Sequence, residues 1–202
     1  MTEPRRRAPG MDPEQRRDMI LQTALPLVAE HGAAVTTAQI ARAAGIGEAT
    51  VFRVFADKDE LIKAVVMRAL DPAHVLRELG SISLDQPLPD RLVEAAEALR
   101  AHLGRIGSVI GALHASGHQR RRPDPDEARA AGLDRNASQE ATKAAVAELF
   151  EPEADRLRLP VATATDVFLG FMFSRGRFLG PDLDSADLVD VFLHGALKEA
   201  PA

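Results

Sequence analysis

Apolar residues recur three and four positions apart in alanine-rich stretches along almost the whole chain, while period-two alternation is scarce. That pattern builds helices with one apolar stripe and leaves little material for a sheet, so the expected fold class is all-α. At 202 residues the chain is long enough for one domain with a real core or for a small domain joined to a larger one. It has no cysteine, which excludes disulfides, thiolate metal sites and cysteine nucleophiles. No apolar run approaches the ~18 residues of a membrane span. The N-terminus also lacks a signal-peptide core. The expectation is a cytoplasmic protein with no membrane partner. A net charge of −5 argues against a protein coated in positive charge but leaves room for one DNA-binding face.

Helix starts are marked sharply in the first third. Residues 1–11 are polar, contain proline and lack periodicity, which predicts a disordered arm. Asp12, Pro13 and Gln15 supply a cap, an N1 proline and a capping-box partner for a helix that runs to His31 and stops at Gly32. Pro26 should kink it, since it has no N–H for the Gln22 carbonyl. Thr36 with Gln39 opens a second helix that ends at Gly45. A third covers 48–55, and Asp57 with Glu60 opens a fourth to Leu70. Asp71 and Pro72 break that helix before a short helical piece to Leu79. Beyond a loop over 81–89, helices are expected over 90–103, on to His114 after glycine punctuation, and over 136–150, 161–178 and 185–199. A long polar connection lies between His114 and Asn136.

Spacing within 36–61 fits a helix-turn-helix. Counted from Thr37, the small Ala41 stands fifth, where two helices cross, and Gly45 stands ninth, where the turn needs positive φ. Ile46 and Val51, tenth and fifteenth, are the apolar plugs between the helices. On the third helix Val51 and Phe55 share the buried face, so Ala49 and Arg53 look outward, flanked by Thr50 and Phe52.

The run TTAQIARAAGIGEATVFRVFADKDEL resembles the DNA-binding segment of the TetR family of bacterial transcriptional regulators. It keeps the family's order of threonine, IAxxAG, a short threonine-containing recognition helix, aromatic-x-x-Phe and Lys-x-x-Leu, over roughly Arg16 to Leu61. The resemblance implies a homodimer on a near-palindromic operator, with a divergent C-terminal domain that senses a small molecule. The domains are then an arm over 1–11, a DNA-binding domain over 12–56 and a ligand-binding and dimerisation domain over 57–202. Four positions depart from the family, the unusual Pro26 among them. Phe52 stands where tyrosine is usual and has no hydroxyl for a phosphate. Val54 replaces a frequent histidine, and Gly47 replaces a capping Ser or Thr.

Ala49, Arg53 and Glu48 are the candidate base contacts. Arg53 has two open roles: a bidentate fork on guanine O6 and N7, or a phosphate contact. Glu48 either accepts from a cytosine amine or complements the helix dipole. Thr36, Thr37, Thr50, Phe52 and Lys58 are the candidate backbone contacts, with Thr36 also serving as a helix cap. Arg5, Arg6 and Arg7 either reach the minor groove or form a tail without a role.

Four of the eight phenylalanines fall in VFLGFMFSRGRF, at 168, 171, 173 and 178. Small residues between them permit close helix approach, and the resemblance implies a dimer interface made by the last two helices; the expectation is a dimer role combined with a core role, with Gly170, Ser174, Leu188, Phe192 and Ala196 as the interface candidates and an ordinary core helix as the alternative. His102, Leu113, His114, Phe168, Phe171 and Met172 are the candidate pocket residues, suited to a largely apolar ligand with one or two polar handles. His114 and His118 are four apart, but Gly117 ends that helix and no third ligand follows, so no metal site is expected. No cofactor is called for. Without HExxH, GxSxG or cysteine, an all-α enzyme is the weakest class. The leading reading is a ligand-released dimeric repressor, in which the ligand shifts the fourth helix; the alternative is an activator or a constitutive DNA binder.

Overall fold

The computed structural model describes residues 11–117, 135–178 and 184–196. The Arg5–Arg7 arm, His118 and most of the polar connection lie outside these residues, as do the side chains of Ser174 and Ala196. Among the described residues there is no β-strand, and none of the helices is long and apolar enough to cross a membrane. The helices are α1 (Pro13–His31), α2 (Thr37–Ala43), α3 (Glu48–Val54), α4 (Lys58–Leu70), α5 (Ala73–Ser81), α6 (Leu88–Ala115), α7 (Arg135–Glu148), α8 (Val161–Phe178) and α9 (Ser185–Ala196). Short 3-10 turns occupy Gly32–Ala34 and Glu151–Arg156.

The chain divides into two compact units. The first contains the described residues up to Leu70 together with α6 from Arg105 onward; it therefore takes in α4 as well as the segment 12–56. Its core gathers Ile20, Ala24 and Val28 of α1, Val35, Ile40, Val51 and Phe55 of the helix-turn-helix, Leu61, Ile62 and Val65 of α4, and Val109 and Leu113 of α6. The second unit comprises Asp71–Gly104 and the described residues from Arg135 on. Its core is centred on Phe150, Phe168 and Phe192, whose rings meet edge to face with centroids 5.5–6.1 Å apart.

Local chemistry explains the boundaries. Asp12 caps α1 by accepting from the Glu14 N–H at 2.9 Å, so the cap reaches the second helical residue and not Gln15 as expected. Thr36 and Gln39 form a full capping box at α2. At α4, Asp57 accepts from the Glu60 N–H at 2.7 Å while the Glu60 carboxylate accepts from Ala56 N–H at 2.6 Å.

As expected, α1 runs through Pro26 to His31; Pro26 and Gln22 are both exposed, on a side where water can satisfy the carbonyl the proline leaves without a donor. Two differences from expectation have physical reasons. The stretch expected as two helices over 90–114 is one helix, α6, which starts at Leu88 and passes through Gly104, Gly107 and Gly111. Each glycine costs about 1 kcal/mol against alanine. Flanking core residues, Leu99 on one side and Val109 and Leu113 on the other, offset that cost by burial. Likewise α5 continues past Gly80 to Ser81, because Leu79 and Ile82 on either side are buried.

A buried arginine braces the second unit. Arg91 of α6 is 0% exposed, donates to the Leu84 carbonyl at 2.9 Å and pairs with the Glu153 carboxylate. It thereby ties the loop before α6 to the second 3-10 turn. On the surface, Lys143 of α7 pairs with Asp166 of α8 at 2.6 Å. The hydrogen bond to Asp166 raises the lysine above its ordinary pKa.

Candidate nucleic-acid interface

The helix-turn-helix is built as its spacing demands. Gly45 has φ +66°, in the left-handed region that a glycine enters without strain. The Ile46 N–H donates back to the Ala41 carbonyl at 3.0 Å, turning the chain from α2 into α3, and Ala41 is buried. Val51 and Phe55 are each 1% exposed and hold α3 from behind. Glu48, Ala49, Phe52 and Arg53 are exposed on the opposite side, with Thr50 half-buried between. Phe52 is 49% exposed, a large apolar ring turned to solvent beside Arg53.

Several candidates are already bonded within the protein. The Thr37 hydroxyl donates to the Glu48 carboxylate at 2.5 Å, joining the first turns of α2 and α3. The Thr36 hydroxyl accepts from the Gln39 N–H at 3.1 Å and lies 3.0 Å from the Gln39 side-chain oxygen, so its capping role is observed directly. Lys58 donates to the Ala33 carbonyl at 2.6 Å and is partly buried. Gly47 precedes α3 without a side-chain cap, as its lack of a side chain requires; its carbonyl accepts from the Thr50 N–H at 2.8 Å.

Arg17 is a functional neighbour that sequence reasoning missed. Its guanidinium lies 4.5 Å from the centroid of the Phe55 ring, reaches toward the Val54 carbonyl at 3.5 Å and faces Glu60 at 3.7 Å. It thus braces the C-terminal end of α3, where carbonyls lack helical donors. The contact spans 37 positions, so no local pattern announces it.

The family model described as bacterial regulatory proteins, tetR family, matches residues 20–65, the same segment whose geometry is set out above. Residues 20–65 thus carry the DNA-binding segment of the TetR family. The regulator BetI of Brucella anthropi is 40% identical over 72 residues, which are 35% of this chain and 34% of BetI. The chain thus spans about a third of the length of the curated relatives it matches. Among solved structures, a protein of Mesorhizobium loti assigned to the TetR family superposes with a TM-score of 0.61 at 18% identity, over 93% of this chain and 100% of that one. AibR, solved with isovaleryl coenzyme A and operator DNA, gives a TM-score of 0.50 at 20% identity, over 90% of this chain and 98% of AibR. These likenesses show that the TetR fold extends over both units, beyond the part that carries the motif.

Outside the helix-turn-helix, the pocket candidates are spread over both units. The six pocket candidates do not share one core. Leu113 belongs to the core of the first unit, with His114 exposed beside it, whereas Phe168 and Met172 belong to that of the second. His102 is half-buried, and Phe171 is on the exposed side of α8, its ring 6.3 Å from Phe192. The helical period placed these residues on plausible faces, but α6 contributes to two cores along its length. Leu188 and Phe192, two of the interface candidates, are buried among residues of their own unit. Gly170 is exposed. Among the described residues, the large exposed apolar side chains of α8 and α9 are Val167, Phe171, Phe173 and Val191. Among the described residues no group of His, Asp and Glu is arranged to hold a metal ion.

Proposed function

We propose that the chain is a DNA-binding transcriptional regulator that acts as a homodimer on a near-palindromic operator. The observation that carries this reading is the mounting of α3: plugged from behind by Val51 and Phe55, it projects Ala49, Phe52 and Arg53 as a slender exposed ridge. A B-form major groove about 12 Å wide admits a single helix presented in this way. Arg53 is the candidate base reader, Ala49 allows close approach, and Phe52 offers its ring to a sugar or a thymine methyl. Thr50 and Lys58 are the candidate phosphate contacts. Thr36, Thr37 and Glu48 act chiefly by holding α2 and α3 in register, because their polar atoms are bonded to one another or to Gln39. Dimerisation uses the exposed row Val167, Gly170 and Phe171 of α8 with Val191 of α9.

Selection from a pool of random duplexes by the purified chain tests the core of this reading. The expected product is an inverted repeat whose half-sites lie about one helical turn apart, or a multiple of that spacing. Enrichment of no sequence overturns it.

Release by a small molecule is the finer part of the proposal. The same fold holds both isovaleryl coenzyme A and operator DNA in AibR. In this chain the Thr165 hydroxyl is buried in the second unit with no hydrogen-bond partner among the described residues, which supplies a polar handle in apolar surroundings. A constitutive binder is the second reading, favoured by the three mutually packed rings of Phe150, Phe168 and Phe192. Native mass spectrometry of the purified chain, followed by DNA titration with and without any molecule it retains, separates the two. A retained molecule that weakens operator binding supports release; equal affinity in both titrations favours the constitutive binder.

A further inference from the structure

The end of α1 and the end of α6 meet at a joint that the DNA-contact candidates do not account for. Gly32 has φ +58° and ψ −138°, a backbone conformation open to glycine. A Cβ there would lie 2.2 Å from the Ala112 carbonyl oxygen and 2.4 Å from the Ser116 hydroxyl, so the two backbones touch with no room between them. The Ser116 hydroxyl accepts from the Ala33 N–H at 2.8 Å and lies 2.8 Å from the Ala112 carbonyl, to which it can donate. On the other side of the same residue, the Ala33 carbonyl accepts from Lys58 at 2.6 Å. Ala33 is therefore gripped through its N–H by Ser116, just past the end of α6, and through its carbonyl by Lys58 of α4.

We infer that Ser116 is a positioning residue for the helix-turn-helix: with Lys58 it fixes the Gly32–Ala34 turn, and that turn sets where α2 and α3 stand. The inference rests on the DNA-binding reading. From Ala33 the chain reaches Thr36, the cap of α2, in three residues, a span of at most about 11 Å. Val35 within that span is 0% exposed, an anchored plug that leaves no slack. From α2 the position passes to α3 through the Ile46 to Ala41 bond and the Thr37 to Glu48 bond. Ser116 touches no candidate DNA contact except through this chain of bonds. Ser116, the residue after α6, thus belongs mechanically to the DNA-binding unit, although it lies 79 positions from Thr37 in sequence.

Ser116→Ala tests the joint. It removes the acceptor of the Ala33 N–H and leaves the helical bond from the Ser116 N–H to Ala112 in place. Amide exchange at Ala33, followed by NMR, should quicken by about tenfold or more. Affinity for the duplex that the wild-type chain selects should fall about three- to tenfold, with the salt dependence of binding unchanged because no phosphate contact is lost. Ser116→Thr, which keeps the hydroxyl, should restore both. Unaltered Ala33 exchange overturns the joint. A fall in affinity with a salt slope smaller by about one unit overturns the positioning role in favour of direct phosphate contact. A wild-type chain that selects no duplex overturns the DNA-binding reading, a failure that Ala33 exchange distinguishes from failure of the joint.

Discussion

Thr37 and Glu48 are bonded to each other, hydroxyl to carboxylate at 2.5 Å, across the turn that joins α2 to α3. A side chain positioned for base reading is therefore occupied in holding the two helices together. Glu48→Ala and Thr37→Val should each destabilise the first unit, and the double variant should lose less than the sum. The coupling expected from chemical denaturation is about 1 kcal/mol. Base preference in selection experiments should be unchanged at every position in Glu48→Gln, which retains an acceptor for Thr37.

Arg53 and Lys58 should give different signatures on DNA. Arg53→Ala should lose preference at one base pair per half-site, about 1–3 kcal/mol of discrimination. Lys58→Met should weaken binding evenly across sequences and lower the salt slope by about one unit per protomer. Fluorescence anisotropy with matched and singly mismatched duplexes at several salt concentrations separates them.

The Arg91–Glu153 pair predicts an asymmetric mutational response. Glu153→Ala leaves a fully buried guanidinium with the Leu84 carbonyl as its remaining observed partner. The expected loss is about 3–5 kcal/mol, as for breaking a buried ion pair. The double variant Arg91→Met with Glu153→Met should recover much of that loss, because it removes the buried charge along with its partner. Thermal and denaturant unfolding check both.

Val191 and Phe192 are adjacent in sequence and opposite in role. Val191 is 60% exposed, so Val191→Asp should leave the protomer folded and shift the proposed dimer to monomer, as read by sedimentation. Phe192 is packed among Phe150, Phe168 and Phe171, and Phe192→Ala should cost about 3–5 kcal/mol of protomer stability.

Glycines should respond to substitution with opposite signs. Gly107 lies within α6, and an added Cβ would meet nothing within 4 Å, so Gly107→Ala should stabilise by about 0.5–1 kcal/mol. Gly32→Ala meets backbone at 2.2 Å from a positive φ, and should destabilise by more than about 2 kcal/mol. Unfolding midpoints of the two variants against the parent chain decide this.

The first third of the chain was legible because its signals are local. Thr36 with Gln39, Asp57 with Glu60, and Gly45 at the turn act over a few residues, and the structure realises each of them. Val51 and Phe55 were placed inside, and Ala49 and Arg53 outside, by helical period alone. At Leu188 and Phe192 the same period marks an apolar face but does not say whether that face meets its own core, where the structure buries both, or a second copy. It failed along α6, where glycine punctuation suggested two helices and burial on both sides sustained one.

Taken alone, the order of residues determined the helical class, the positions of the caps and the outward face of α3, since each depends on dihedral preference and periodicity within one or two turns. Tertiary structure decided which apolar faces are core, that Arg17 braces the end of α3, and that Ser116 grips Ala33. Those relations join residues 37 and 83 positions apart, and no propensity encodes them; they exist only once packing has brought the helix ends together.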